Sequence, residues 1–445
     1  MNRSMFKETR RQGVKGVKDI CQMTLIIFLM AMAVMMIPLT ITAKHTVHDP
    51  QIKSLQVVVN QNWLSPAVMR LGTDDVLNIS FDELSHDYHH YIYRVEHCEA
   101  DWTPSTSLFE SDWLEGFNGN PIDDYDTSVN TTVAYTHYRF QIPNDRMRLR
   151  LSGNYRIHIY DNEDDEQEVM TIDFCVTEQS MPLAMSITTN TDIDTNVSHQ
   201  QVSLTLNYGV ERVTDPANQL RVVVMQNGRE DNQKQNPKPT ILTGSSAEWQ
   251  HSRELIFDAG NEYRKFEVLD VSHPTMGIDQ MVWNGERYEA YPFIDEPRRN
   301  YLYDEDANGA FLIRNSDNWE IETTCDYVWV VYRMKCPPLP DGQMVIDGWW
   351  TTDNDPSTYT MTYDAARGMY TTRILQKQGY YSYQYLWQQP DGTRHFAPSE
   401  GSYYQTENRY QALVYYRGIN DNTWRLTAFV DTLLGARDAH GRRRQ

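Results

Sequence analysis

Between Tyr91 and Tyr160 apolar and polar side chains alternate with almost no filler. In YIYRVEHCEADW the tyrosines and Val95 alternate with Arg94 and Glu96, the two-residue period of a strand buried on one face. THYRFQI repeats the pattern, and Pro143, Asn144 and Asp145 stop it. Gly153-Asn154-Tyr155 opens a third strand, with a glycine two residues before a tyrosine. In a sandwich of the immunoglobulin type, a tyrosine at the start of the penultimate strand folds back to hydrogen-bond the backbone upstream, and the pattern predicts that position for Tyr155. TIDFCVTE is then the last strand, and the acidic run Asp161 to Glu168 a solvated hairpin tip.

The same period runs through the remainder. LQVVVNQ and DVLNISF fill out a first domain ending near Met181. VSLTLNY and LRVVVMQNG open a second, completed by RELIFDAG, YRKFEVLDV, ERYEAYPFI and a hairpin around Asp304. Asn227 to Thr243, rich in Asn, Gln, Lys and Pro, reads as a loop with at most a short strand end. A third domain begins near Thr323 with CDYVWVVYRMK. In its YYSYQYLW, preceded by Gly379, Tyr381, Tyr383, Tyr385 and Trp387 share one face. No long amphipathic helix is predicted. Short strands punctuated by Gly, Pro, Asn and Asp argue for an all-β chain of serial immunoglobulin-like sandwiches. The expected division is 44–181, 182–321 and 322–432, with a flexible basic tail over 433–445.

The start of the chain departs from this pattern. Arg3, Lys7, Arg10, Arg11, Lys15 and Lys18 precede an apolar run from Leu25 to Ile37, and Pro38, Thr40, Thr42 and Ala43 follow it. This is the layout of an export signal over residues 1–43, with Ala43 as the cleavage position. An uncleaved anchor is the alternative; either way the positive flank delivers the remainder outside the cytoplasm. Lys18, Asp19 and Ile20 before Cys21 do not suit a lipoprotein site. The chain has 445 residues and a net charge of −21. Removing the basic leader makes it more negative still, which argues against nucleic acid and anionic membrane surfaces as partners.

Several residue groups are candidates for chemistry. His86, Asp87, His89 and His90 offer metal-ligand types, yet neighbouring histidines on a strand point to opposite faces. Asp304, Asp306, Asn308 and Gly309 match the opening of a calcium loop, but position twelve is Asn315 and the flanks read as strands. Cys98 and Cys175 lie on strands of the first domain and are expected either to pair or to stay as buried thiols. Cys325 and Cys336 are held too far apart by one extended segment. No GxSxG, HExxH or phosphate loop is present, so no catalytic, cofactor-binding or metal residue and no cofactor is assigned. Tyrosine and tryptophan are abundant, with 28 and 11 copies. They suit strand cores, protein interfaces or sugar stacking.

The string His97-Cys98-Glu99-Ala100-Asp101-Trp102 is followed by Gly116-Phe117-Asn118, Asp124-Tyr125, Asn130-Thr131-Thr132, Tyr135-Thr136-His137-Tyr138, Pro143-Asn144 and Ser152-Gly153-Asn154-Tyr155. Together they resemble the first domain of the plug protein of the type IX secretion system of Bacteroidetes. Asn300 to Asn315, Asp326 to Val331, Lys377 to Tyr385 and Glu400 to Tyr416 extend the resemblance through the later domains. Glu99, where the family pattern suggests aspartate, and the stretch Asn227 to Glu248 depart from it. The resemblance implies a non-enzymatic periplasmic protein that docks beneath the outer-membrane translocon barrel and closes its periplasmic mouth when no substrate occupies it. It also implies no direct membrane insertion once the signal is removed. The loop residues between Trp102 and Thr132 are the expected contact surface. The alternative is a glycan-binding periplasmic or surface protein using Trp349, Trp350 and Trp387 of the third domain.

Overall fold

Where the alternation is cleanest, strands form over the expected residues: Tyr91–Cys98, Thr136–Ile142, Gly153–Asp161 and Gln167–Thr177. The computed structural model describes residues 44–162 and 167–434. Residues 1–43, expected as an export signal, the tail from 435 and the tip of the acidic hairpin at 163–166 lie outside the described residues. Helices among the described residues are single turns, such as Glu110–Trp113 and Ile321–Thr324.

The first sandwich closes two sheets over one core. One sheet runs Thr46–Val47, Gln167–Thr177, Gly153–Asp161, Tyr91–Cys98, Asn120–Pro121, with Val68–Arg70 added in parallel to Gln167–Thr177. The other runs Ile52–Val59, Leu77–Glu83, Thr136–Ile142, Asp124–Thr127. Phe81 and Tyr138 from the second sheet pack on Tyr91 from the first, at ring separations of 5.5 and 4.9 Å. Alternate residues of each strand therefore meet in the middle, as the period of two requires.

The other strands pair differently from the expected linear division at 321/322. Leu220–Gln226 pairs on one side with Arg409–Tyr416, which in turn pairs with Arg425–Leu433. These strands share a core with Val202, Leu204 and Trp249. The middle sandwich thus takes its closing strands from the end of the chain, and the third sandwich is inserted into it. In the third, Gly379–Gln388 is flanked by Arg264–Val268 and Phe311–Ile313 along its first half and by Gln343–Asp347 and Arg394–Phe396 along its second. Its facing sheet is Ile278–Trp283, Tyr288–Pro292, Tyr327–Met334, Met369–Lys377, Thr362–Asp364. Alternation fixes which face of a strand is buried but carries no information on its neighbour.

Two local readings also change. Arg229–Gln235, expected as loop, is a strand at a sheet edge paired with Leu220–Gln226. Its sequence, REDNQKQ, carries no apolar period: Arg229 is buried in an ion pair with Asp231, only Asp231 and Gln235 are exposed, and an edge strand needs backbone partners on one side only. No strand hairpin forms around Asp304: regular structure resumes only at Phe311–Ile313, after the left-handed Asn308 and Gly309.

Tyr155 makes the backward bond expected of it, donating to Leu151 O at 2.6 Å. The third sandwich repeats the device, with Tyr381 donating to Lys377 O at 2.6 Å. Each tyrosine stands two residues after a glycine that admits no side chain. A Cβ on Gly153 would lie 2.5 Å from His97 Nε2, and one on Gly379 would lie 2.4 Å from Leu312 O.

Candidate interaction surface

The residues singled out for chemistry take separate structural partners. His86 Nε2 meets Ser128 Oγ at 2.8 Å, His89 Nδ1 meets Asp161 Oδ2 at 3.0 Å, and His90 Nδ1 meets the Asn162 amide at 3.0 Å. Among the described residues no three His, Cys, Asp or Glu side chains converge as metal ligands. Asp306 accepts from the backbone N–H groups of Tyr263 and Asn308, and Asp304 pairs with Lys265 at 2.6 Å. Burial pushes the Asp306 carboxyl up to about 7, despite those bonds. The two aspartates serve different neighbours and do not face a common point.

The four cysteines of the described chain are buried free thiols. Asn154 stands opposite Cys98 on one side and Cys175 on the other. The thiols are therefore two strand spacings apart, about 10 Å, which exceeds the ~7 Å Cα reach of a disulfide. Cys175 instead donates to Asn154 Oδ1 at 3.3 Å.

Two of the three tryptophans of the glycan reading are internal. Trp350 and Trp387 belong to the core of the third sandwich, and the Trp350 indole donates to Ser382 O at 3.1 Å. Trp349 is half-buried and donates to Asn227 O of the middle sandwich at 3.0 Å. Sugar stacking needs an open ring face, and Trp350 and Trp387 have none to give.

What converges is a set of residues between sandwiches, which together form one unit. On the outer face of Leu77–Glu83, Asp82 receives Lys377 Nζ at 2.7 Å, Tyr327 Oη at 2.6 Å and His137 Nδ1 at 2.6 Å. The Lys377 and Asp82 side chains are 2% and 1% exposed. Burial alone would raise the Asp82 carboxyl, but the Lys377 charge and the His137 bond outweigh it and hold it below the usual range. Lys377 also sits 4.1 Å from the Tyr135 ring centroid, and Tyr135 donates to Cys325 O at 2.8 Å. Asp326 accepts from Thr132 N at 2.8 Å and Val133 N at 3.1 Å, closing the junction of first and third sandwiches.

The junction with the middle sandwich is mainly apolar. Cys175, Leu413, Tyr415, Trp424 and Leu426 form one cluster, against which Ala100 and Trp102 pack. Polar residues edge it. Glu99 accepts from Thr423 Oγ1 and Trp424 N at 3.1 Å each, Asn154 Oδ1 accepts from Tyr415 at 2.8 Å, and Arg425 pairs with Glu178 and with Glu211. The longer Glu99, in place of aspartate, is thus bonded across the junction.

The stretch Trp102 to Thr132 is therefore divided. Its ends are consumed by these two junctions, while its middle stands in water, with Phe109 and Phe117 79% and 77% exposed. The Asn118 side chain ties this middle together, bonding both ways to the Val95 backbone at 2.8 Å and to Glu110 at 3.2 Å. Exposed Glu110, Asp112 and Glu115 lie between the two rings in sequence. Sequence reasoning missed Asp82, since a polar residue on the outer face of a half-buried strand looks solvated. Glu99, His137, Asp326 and Lys377 were all inside the strings that carried the resemblance, which in the fold turn out to be junction residues.

Residues 52–178 match the family model described as the type 9 secretion system plug protein 1st domain. A crystal structure of a hypothetical protein from Parabacteroides merdae ATCC 43184 is 36% identical, with 88% of this chain and 100% of that chain covered and a TM-score of 0.85. The collagen adhesin of S. aureus is 9% identical over 87% of this chain and 94% of its own, with a TM-score of 0.13, too remote to bear on this chain. No curated protein matches. Among the described residues no helix is long and apolar enough to cross a membrane. The match over residues 52–178 places the chain in the type IX secretion system plug protein family.

Proposed function

We propose that this protein is a non-enzymatic periplasmic component of the type IX system that docks on the outer-membrane translocon barrel and closes its periplasmic opening when no substrate is engaged. The observation that carries the reading is the family match over the first sandwich. The physical task suits the fold: three sandwiches locked to one another present a surface that does not deform when it meets a rim. Release requires weaker affinity for the substrate-loaded barrel than for the idle one. The docking face is the exposed middle of the Trp102 to Thr132 stretch. Phe109 and Phe117 are large apolar side chains in water on a loop stapled by Asn118, the character of interface anchors.

The test is capture from detergent-solubilised outer membrane of the host, read by mass spectrometry. The native protein is expected to bring down a very large outer-membrane barrel in near-stoichiometric amount. The double variant Phe109→Asp, Phe117→Asp is expected to lower capture about tenfold or more without loss of folding. Failure of the native protein to retain any barrel would sink the assignment. Undiminished capture by the variant would move the docking face elsewhere.

A further inference from the structure

The short strand Thr46–Val47 clips the beginning of the described chain to two sandwiches at once. It pairs antiparallel with Thr171 and Met170 of the first. Val47 N also donates to Thr352 O of the third at 2.8 Å, and Asn354 N donates back to Val47 O at 2.8 Å. Just before this strand, the backbone nitrogen of Lys44 donates to Asp173 Oδ2 at 3.0 Å.

Asp173 is an unusual acceptor for a chain start. It is buried, 4% exposed, and gripped by the Arg156 fork at 2.7 and 2.8 Å. Its own N–H is donated to His45 Nδ1 at 3.2 Å. Burial holds that imidazole down to about 4, so the ring is neutral and able to accept. Burial also raises the Asp173 carboxyl, in spite of Arg156, so one guanidinium does not fully compensate the charge. A peptide N–H at Lys44 supplies one hydrogen bond and no charge. A primary ammonium at the same position supplies a full positive charge and two more donors.

We propose that Asp173 is a built receptor for the α-ammonium that appears at Lys44 when the Ala43–Lys44 peptide bond is hydrolysed. In that step water gives its hydroxyl to the Ala43 carbonyl carbon, the C–N bond breaks, and the Lys44 nitrogen leaves as an amine that is protonated at neutral pH. Processing turns a neutral hydrogen bond into a charged pair on the buried Asp173 carboxylate. Maturation thereby tightens the clip between the first and third sandwiches, and a chain that keeps residues before Lys44 has only the neutral hydrogen bond.

Two measurements test it. N-terminal sequencing of the protein purified from its host should read Lys44 first. Next, full-length mature protein beginning at Lys44 should melt about 1–2 °C above the same protein carrying Gly-Ser before Lys44, and Asp173→Asn should abolish that gap. If Asp173→Asn does not fold, a form with Nα-acetylated Lys44 replaces it and should melt with the extended protein. A native first residue other than Lys44, equal midpoints for the two starts, or a gap that survives removal of the carboxylate or the charge would each overturn the proposal.

Discussion

Against the third sandwich, the first presents Asp82, buried and ringed by Lys377, His137 and Tyr327. Against the middle sandwich it presents Ala100, Trp102 and Cys175, packed on Leu413, Tyr415, Trp424 and Leu426, with Glu99 and Glu178 at the edge. The apolar junction derives strength from area removed from water and is indifferent to small sliding. The charged junction contributes little net energy, because desolvating Asp82 and Lys377 offsets most of their attraction. It contributes alignment instead: a shift of an ångström or two would leave a carboxylate and an ammonium buried without their bonds. One junction makes the sandwiches adhere, and the other decides how they are set.

The largest expected effect breaks the charged side. Lys377→Met leaves Asp82 buried without its cation and should cost about 3–5 kcal/mol in denaturant unfolding. Adding Asp82→Asn to that variant should recover a substantial part. A single-variant loss under about 1 kcal/mol would show that water reaches the cluster. On the apolar side, Trp424→Ala should cost about 3 kcal/mol, and no second substitution among charged residues should restore it.

Smaller effects sharpen the contrast. Tyr155→Phe and Tyr381→Phe each delete one bond to a carbonyl four residues upstream within a sandwich, Leu151 for the first and the junction residue Lys377 for the second. Each should cost about 1 kcal/mol, equally in the two variants. A much larger loss for Tyr381 would show that its bond to Lys377, the last residue of Met369–Lys377, also sets the charged junction. The smallest effect is in acid. The folded pKa of Asp82 lies below its ordinary value, so its native form binds fewer protons than its unfolded form. Its stabilising contribution is complete above the unfolded pKa of about 4 and is lost as pH falls through the lower folded value. Urea midpoints followed from pH 7 to pH 3 should fall less steeply for Lys377→Met, which lacks the cation that depresses Asp82, while Trp424→Ala should track the native slope.

Much of this architecture was legible in the chain. Tyr91–Cys98 and Gly379–Gln388 alternate so regularly that their buried faces follow from the side chains alone, and the glycine two residues before Tyr155 marked its backward bond. What escaped was partnership. Nothing in LRVVVMQ says that its neighbour is RYQALVYY, almost two hundred residues later, and sequence order suggests a local neighbour instead. Arg229–Gln235 escaped because an edge strand can be polar throughout. Asp82 escaped because the outer face of its strand is covered by another sandwich, a fact that lives at the level of packing and leaves no periodic trace. The aromatic abundance was weighed as core, interface or sugar platform, and Trp350 and Trp387 fall to the core.

The insertion of the third sandwich into the middle one has a consequence for how the molecule comes into being. A polypeptide delivered amino end first can complete the first sandwich once Thr177 has appeared and the third once Phe396 has. The middle one must wait, its Leu220–Gln226 strand lacking the Arg409–Tyr416 side until almost the whole chain has been delivered. A product that stops short of Arg409, through early termination or clipping, keeps two finished bodies joined to an open apolar sheet. Delivery of these late strands is therefore read out at the centre of the molecule: only chains that include Arg409–Tyr416 can bury Val202, Leu204 and Trp249 beneath Tyr410 and Val414.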